Sequence, residues 1–166
     1  RRGNFYADYA IFEVDEATLP LLLKFFENYN KLNKKVILGL LNLFRDQLDR
    51  YGEVDMIARK WSSAVQKIPE GVVLVLNADD PQIAEIGLNQ NKKNIVYFGL
   101  NDHSLYLKNK QHAADSTYCL NCGGLLSYQG VYYSHLGDWY CINCPRKKPE
   151  VVDINAPFVL EGVYNK

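Results

Sequence analysis

The sequence has no excess of either charge: 19 lysines and arginines stand against 19 aspartates and glutamates. With no net field, the chain has no general attraction to nucleic acid or to an anionic membrane, so charged recognition has to be local. Long hydrophobic runs are also missing. No stretch approaches the roughly 20 apolar residues of a membrane-spanning helix, and the opening Arg1-Arg2-Gly3-Asn4 has no apolar signal core. A cytoplasmic location is therefore expected. Cysteine is scarce, with four in 166 residues, and histidine scarcer, with three. In a reducing compartment so few thiols argue against a disulfide framework. Equally absent is a glycine-rich phosphate cradle of the Gly-x4-Gly-Lys-Ser/Thr type. The chain opens without methionine and stops without a polar tail, so it is expected to be an internal piece of something longer.

What is present is alternation. Tyr9–Val14 has the apolar character of a short strand, and Glu13, Asp15 and Glu16 gather at its end. A helix follows, with Pro20 in its first turn and Leu21, Leu22, Phe25, Phe26 and Tyr29 at helical spacing. Val36–Leu43 is a continuous apolar run suited to a strand covered on both faces, and it passes directly into a charged stretch. The next helix puts Val54, Ile57, Ala58, Trp61, Ala64, Val65 and Ile68 on one face. Val72–Leu76 is a third strand, ending at Asn77-Ala78-Asp79-Asp80-Pro81, where Asp80 can cap a short helix and Pro81 can occupy its first position. Asn94–Phe98 is the fourth strand. This order over residues 1–100 predicts an α/β fold: a parallel sheet with flanking helices. Ligands of such sheets bind beyond the carboxyl ends of the strands, which is where Asn42, Arg45, Asp46, Gln47, Asp49 and Arg50 fall. A solvated loop carrying helix-capping acids is the competing reading of that stretch.

Residues 101–150 have another character. A polar connection with His103 and His112 leads to Cys119-Leu120-Asn121-Cys122, and eighteen residues later comes Cys141-Ile142-Asn143-Cys144. Two such pairs match a four-thiolate zinc ribbon, and four thiolates close a tetrahedral shell, so the expected ion is structural Zn²⁺. Iron is the alternative for the same ligand set. Between the pairs, Leu125–Tyr128 and Val131–Ser134 flank Gln129-Gly130 as a two-residue hairpin turn, and Gly137-Asp138 offers another. His135 is a possible replacement ligand. Pro145 has no N–H to offer a sulfur, so the second knuckle is expected to be the less supported one. Tyr128, Tyr132, Tyr133, Trp139 and Tyr140 give the hairpin an apolar face. Only Arg146, Lys147 and Lys148 add cations nearby, and no nucleic-acid partner is expected. Residues 151–166 would return to the α/β part.

Taken together and in this order, Glu13-Val14-Asp15-Glu16-Ala17, the Asn42–Glu53 stretch, Asn77-Ala78-Asp79-Asp80-Pro81 and the four-cysteine insertion resemble the central domain of a Mur ligase. More narrowly, they resemble the branch that amidates lipid II together with a GatD-like glutaminase subunit. The resemblance implies a longer ATP-dependent carbon–nitrogen ligase of peptidoglycan biosynthesis, touching the membrane only through its substrate and inactive as this chain alone. It implies that Glu13 holds Mg²⁺, that Asn42, Asn77 and Asp80 lie on the nucleotide side, and that Asp46, Arg45 and Arg50 serve catalysis. Gln47 stands where the wider group has a metal-binding histidine, and a neutral amide is a poorer magnesium ligand. The carbamylated lysine of several Mur ligases has no clean counterpart: Lys60 lies near the expected spacing and Trp61 occupies it. The competing readings are a ribbon-bearing interaction or nucleic-acid module without catalysis, and a Mur-type amino-acid ligase.

Overall fold

The computed structural model describes residues 8–26, 35–44, 54–91, 94–108 and 116–153. Helix α1 spans Leu19–Phe26, strand β1 Ile37–Leu40, α2 Val54–Gln66, β2 Val73–Asn77, α3 Pro81–Leu88 and β3 Ile95–Gly99. A single 3₁₀ turn at His103–Leu105 precedes the hairpin strands β4, Leu126–Tyr133, and β5, Leu136–Cys141, and β6 is Val152–Asp153. Strands β1, β2, β3 and β6 lie side by side in that order, and every pairing is parallel.

The helices form where the apolar period is 3.6. Val54, Ile57, Ala58, Trp61 and Val65 of α2 are buried, and they meet Leu19 and Leu23 of α1 and the side chains of Leu40, Leu74 and Leu76 from the sheet. Asp80 starts α3: its backbone is extended, its carboxylate accepts from the Gln82 and Ile83 amides, and Pro81 follows at the first helical position. Fully burying a leucine or isoleucine is worth roughly 1.5–3 kcal/mol, so this one continuous cluster is the main stabilising element of the α/β part.

Three expectations need correction. Tyr9–Val14 is not a strand: Tyr9, Ile11 and Phe12 are 90%, 98% and 67% exposed, and the segment pairs with no strand among the described residues. The fourth strand of the described sheet is instead β6, paired to β3. Strand β1 is not covered on both faces either. Among the described residues it is an edge strand, with Leu40 buried and Ile37 68% exposed, so its apolar run is half-solvated. The third concerns the hairpin. Strand β4 runs through Gln129-Gly130, with a register irregularity between Tyr128 and Gly130, and Gly137-Asp138 lies within β5. The chain reverses at Ser134-His135, where Ser134 takes a left-handed φ of 50°. Gly130 serves close packing: a Cβ there would collide with the Tyr106 ring.

Candidate functional site

The segment that follows β2 sits at the carboxyl edge of the parallel sheet, and its carboxylates are held by neighbouring donors. Asn77 Oδ1 accepts the Asp79 amide at 2.9 Å. The Asp79 carboxylate accepts the Leu100 amide at 2.9 Å and lies 2.8 Å from Lys148 Nζ. Burial pushes the Asp79 carboxyl above its ordinary range, and the Lys148 and Leu100 donors pull it back part of the way. Asp80 is fully buried. One of its oxygens caps α3 at 2.8 Å from the Gln82 amide. The other accepts the Leu43 amide at 2.8 Å and lies 3.3 Å from His135 Nε2. Leu43 belongs to the segment after β1, so a single carboxylate ties together the ends of two adjacent strands and a helix.

The hairpin lies over this edge. Trp139 Nε1 donates to the Ala78 carbonyl at 2.8 Å, and the Gly137 amide donates to the Asp79 carbonyl at 3.0 Å. Lys148, with a side chain 9% exposed, also reaches Asp138 Oδ1 and the Leu100 carbonyl at 2.6 Å each. Arg146 fastens the ribbon to the end of α3, donating to the Leu88 carbonyl at 3.3 Å and Asn89 Oδ1 at 2.7 Å, with Glu85 at 3.4 Å. Two of the three cations considered for nucleic-acid contact are therefore internal clamps of the fold.

The four cysteine sulfurs form one group with all ligand atoms within 4.8 Å of one another. Cys119 and Cys144 are 3.8 Å apart, and Cys122 and Cys141 are 3.5 Å apart. Zinc–sulfur bonds of about 2.3 Å in a tetrahedron require sulfurs about 3.8 Å apart, so the set fits the ion with little movement. His135 is not part of the group; its imidazole is directed to Asp80 instead. The second knuckle receives backbone donors despite Pro145. Asn143 donates to the Cys141 sulfur at 3.4 Å, matching Gly124 on Cys122, and the Arg146 amide supplies what Pro145 cannot. That amide holds the Cys144 thiol down to about 7, whereas burial pushes Cys119 up to about 12. The set leaves no coordination position for substrate, which is the chemistry of a structural ion.

Of the residues expected to serve the site, Asn42, Asn77 and Asp80 come together at the carboxyl ends of β1 and β2. Arg45, Asp46, Gln47, Asp49 and Arg50 lie outside the described residues. Glu13 is exposed in the segment before α1, and Asp15 accepts the Ala17 amide at 2.9 Å in the turn that leads into that helix. Sequence reasoning missed His135, Trp139 and Lys148 at this edge. The unusual pairing of an indole and a lysine with a strand-end loop leaves no local pattern to find. A cavity of about 530 Å³ between α1 and α2, lined by Lys24, Arg59, Lys60 and Lys67 among others, contains none of the edge residues.

A helix-covered parallel sheet with a four-cysteine hairpin folded onto its carboxyl edge defines the class: an α/β domain carrying a thiolate cluster. The Mur ligase middle domain model matches residues 5–127, and the chain belongs to that family. The chain is similar to the lipid II isoglutaminyl synthase (glutamine-hydrolyzing) subunit MurT of Staphylococcus aureus (strain COL), at 32% identity over 132 residues, 80% of this chain and 28% of that protein. Its similarity to the MurT subunit of Streptococcus pneumoniae (strain ATCC BAA-255 / R6) is 28% over 163 residues, 92% of this chain and 34% of that protein. The chain thus spans about a third of the length of these curated relatives. Among solved structures, a pseudomurein peptide ligase type C from Methanothermus fervidus matches with a TM-score of 0.50 and 29% identity, covering 72% of this chain and 23% of that one.

Proposed function

We propose that this chain is part of the ATP-dependent ligase subunit of a lipid II isoglutaminyl synthase, working with a GatD-like glutaminase partner in the cytoplasm. The observation that carries this reading is the similarity to a MurT subunit across 92% of the chain, a span that takes in the ribbon. In the reaction, the α-carboxylate of the stem-peptide D-glutamate takes the terminal phosphoryl group of ATP and releases ADP. Ammonia from the glutaminase then attacks the acyl carbon, phosphate leaves, and an amide remains. Activation is needed because a free carboxylate is a poor electrophile, and the phosphoryl transfer depends on positioning and charge neutralisation.

The edge residues suit the nucleotide side of that chemistry. Asn77 uses Oδ1 on Asp79, which leaves its carboxamide nitrogen to donate to a base or ribose. Asp80, with both oxygens engaged, shapes the loop and positions Asn42 through Leu43. Glu13 offers an exposed hard oxygen of the kind that holds Mg²⁺, an ion that would neutralise phosphate charge when bound. Arg45 and Arg50 would clamp the transferred group, with Asp46 beside them. The ribbon would hold Zn²⁺ as a staple. Among the described residues no helix is long and apolar enough to cross a membrane, consistent with contact to the bilayer through substrate alone.

A second reading, a ligase that adds an amino acid, draws on the likeness to the peptide ligase structure. Supplying the complete subunit and its glutaminase with ATP, glutamine and lipid II separates the two by product mass. Amide formation supports the first reading and addition of an amino-acid residue the second. A complete subunit that binds no nucleotide overturns both.

A further inference from the structure

Resting on the nucleotide reading above, we propose that the ribbon hairpin is a positioning device for the Asn77–Asp80 loop, with Trp139 and His135 as its positioning residues. The loop's conformation is not determined by the sheet alone. From the sheet side the Ala78 amide donates to the Phe98 carbonyl at 2.8 Å, and the strand-end amides of Leu43 and Leu100 reach the Asp80 and Asp79 carboxylates. The hairpin supplies the contacts on the other side: the Trp139 indole to the Ala78 carbonyl at 2.8 Å, the Gly137 amide to the Asp79 carbonyl at 3.0 Å, and the His135 imidazole 3.3 Å from Asp80 Oδ2.

Two consecutive carbonyls after Asn77 therefore point at hairpin donors, and the Ala78 carbonyl shares its peptide unit with the Asp79 amide that donates to Asn77 Oδ1, so the Trp139 bond bears on how the Asn77 carboxamide is held. Gly137 also packs tightly within the hairpin: a Cβ there would overlap the Gly130 carbonyl and the backbone of Val131, and the strand shift needed to relieve this would disturb the amide that reaches Asp79. His135 acts one step further away. It abuts the Asp80 oxygen that also receives the Leu43 amide, so it bears on the position of Asn42 on the neighbouring strand end. Phe44 packs edge-on against the His135 ring at 5.0 Å, fixing the imidazole from the β1 side. The thiolate site lies at the base of the same hairpin, because Cys141 is the last residue of β5. The thiolates at the base and the donors to the loop thus belong to one hairpin. Neither Trp139 nor His135 needs to touch the reacting atoms.

The test uses the complete subunit with its glutaminase and compares wild type with Trp139→Phe, which keeps the ring and deletes the donor, and with His135→Leu and His135→Gln. ATP-analogue affinity, KM for ATP, kcat, metal content and melting temperature are measured. A lost buried hydrogen bond that orients a ligand group is worth about tenfold in affinity. Trp139→Phe and His135→Leu should each raise KM for ATP about tenfold while kcat, KM for glutamine and bound zinc hold. His135→Gln, which keeps a polar group beside Asp80, should recover most of the loss. An unchanged KM for ATP in the folded variants overturns the proposal, as does a kcat loss with KM unchanged. If Trp139→Phe fails to fold, the leucine and glutamine pair at His135 decides alone. Failure of wild type to bind the analogue refutes the nucleotide reading itself, a result distinguishable from normal binding that the variants leave untouched.

Discussion

Replacing Asp80 by alanine tests the edge most severely, because one buried carboxylate performs three structural tasks. The cap on α3, bonded to the Gln82 and Ile83 amides at 2.8 and 3.4 Å, is worth about 1 kcal/mol. The Leu43 amide, 2.8 Å from the other oxygen, would be left without its acceptor in a buried setting, at a cost of about 2 kcal/mol. Removing the acid beside His135 adds to this. The total is about 3 kcal/mol, a substantial share of the roughly 5–15 kcal/mol that holds a domain folded. At about 2–4 °C per kcal/mol for a chain of this size, the melting point should fall by roughly 10 °C. Urea unfolding followed by tryptophan fluorescence is a suitable assay, since both tryptophans, Trp61 under the sheet and Trp139 in the hairpin, are buried. Asp80→Asn keeps a capping oxygen and should lose about half as much. A loss below about 1 kcal/mol in the alanine variant, well under the sum of its cited parts, would refute the reasoning.

Cys119→Ser or Cys144→Ser should abolish stoichiometric zinc binding and raise hydrogen exchange across β4 and β5 while leaving α2 protected; mass spectrometry of exchanged peptides together with metal analysis checks this. Gly87→Ala, normally favourable inside a helix by up to about 1 kcal/mol, should destabilise here by about 2 kcal/mol. The added methyl would overlap the Tyr97 hydroxyl and Leu76, and thermal melting reads the change. Burial, with help from the Glu85 charge, pushes the Tyr97 hydroxyl up to about 12 from its ordinary 10.0. Above pH 10 the unfolded chain gives up this proton while the folded chain keeps it, so stability is full below pH 10 and falls as pH rises towards 12. Tyr97→Phe should reduce that alkaline loss in a pH series of urea midpoints.

Much of the architecture was legible because it is periodic. The face of α2, the apolar run of β2 and the Asp80-Pro81 start of α3 are local patterns, and the cysteine pairs carry their spacing openly. The errors arise where a local pattern has a long-range cause. Gln129-Gly130 has turn chemistry, yet its glycine is there to admit Tyr106. Tyr9–Val14 has strand composition but no partner edge among the described residues, and composition cannot supply one. Asp80 is legible as a cap but not as the acceptor of an amide 37 residues away, and the bond from Trp139 to Ala78 spans 61 residues. Trp139 and His135, which contact the loop after β2, come from the hairpin, and no pattern within the α/β part announces them.

Hydrogen exchange of the complete subunit, with and without a non-hydrolysable ATP analogue and Mg²⁺, tests the placement of the nucleotide most directly. New protection should appear in peptides covering Leu41–Phe44 and Asn77–Asp80. Protection confined to the α1–α2 groove at Arg59, Lys60 and Lys67, with the strand ends unchanged, would contradict the account.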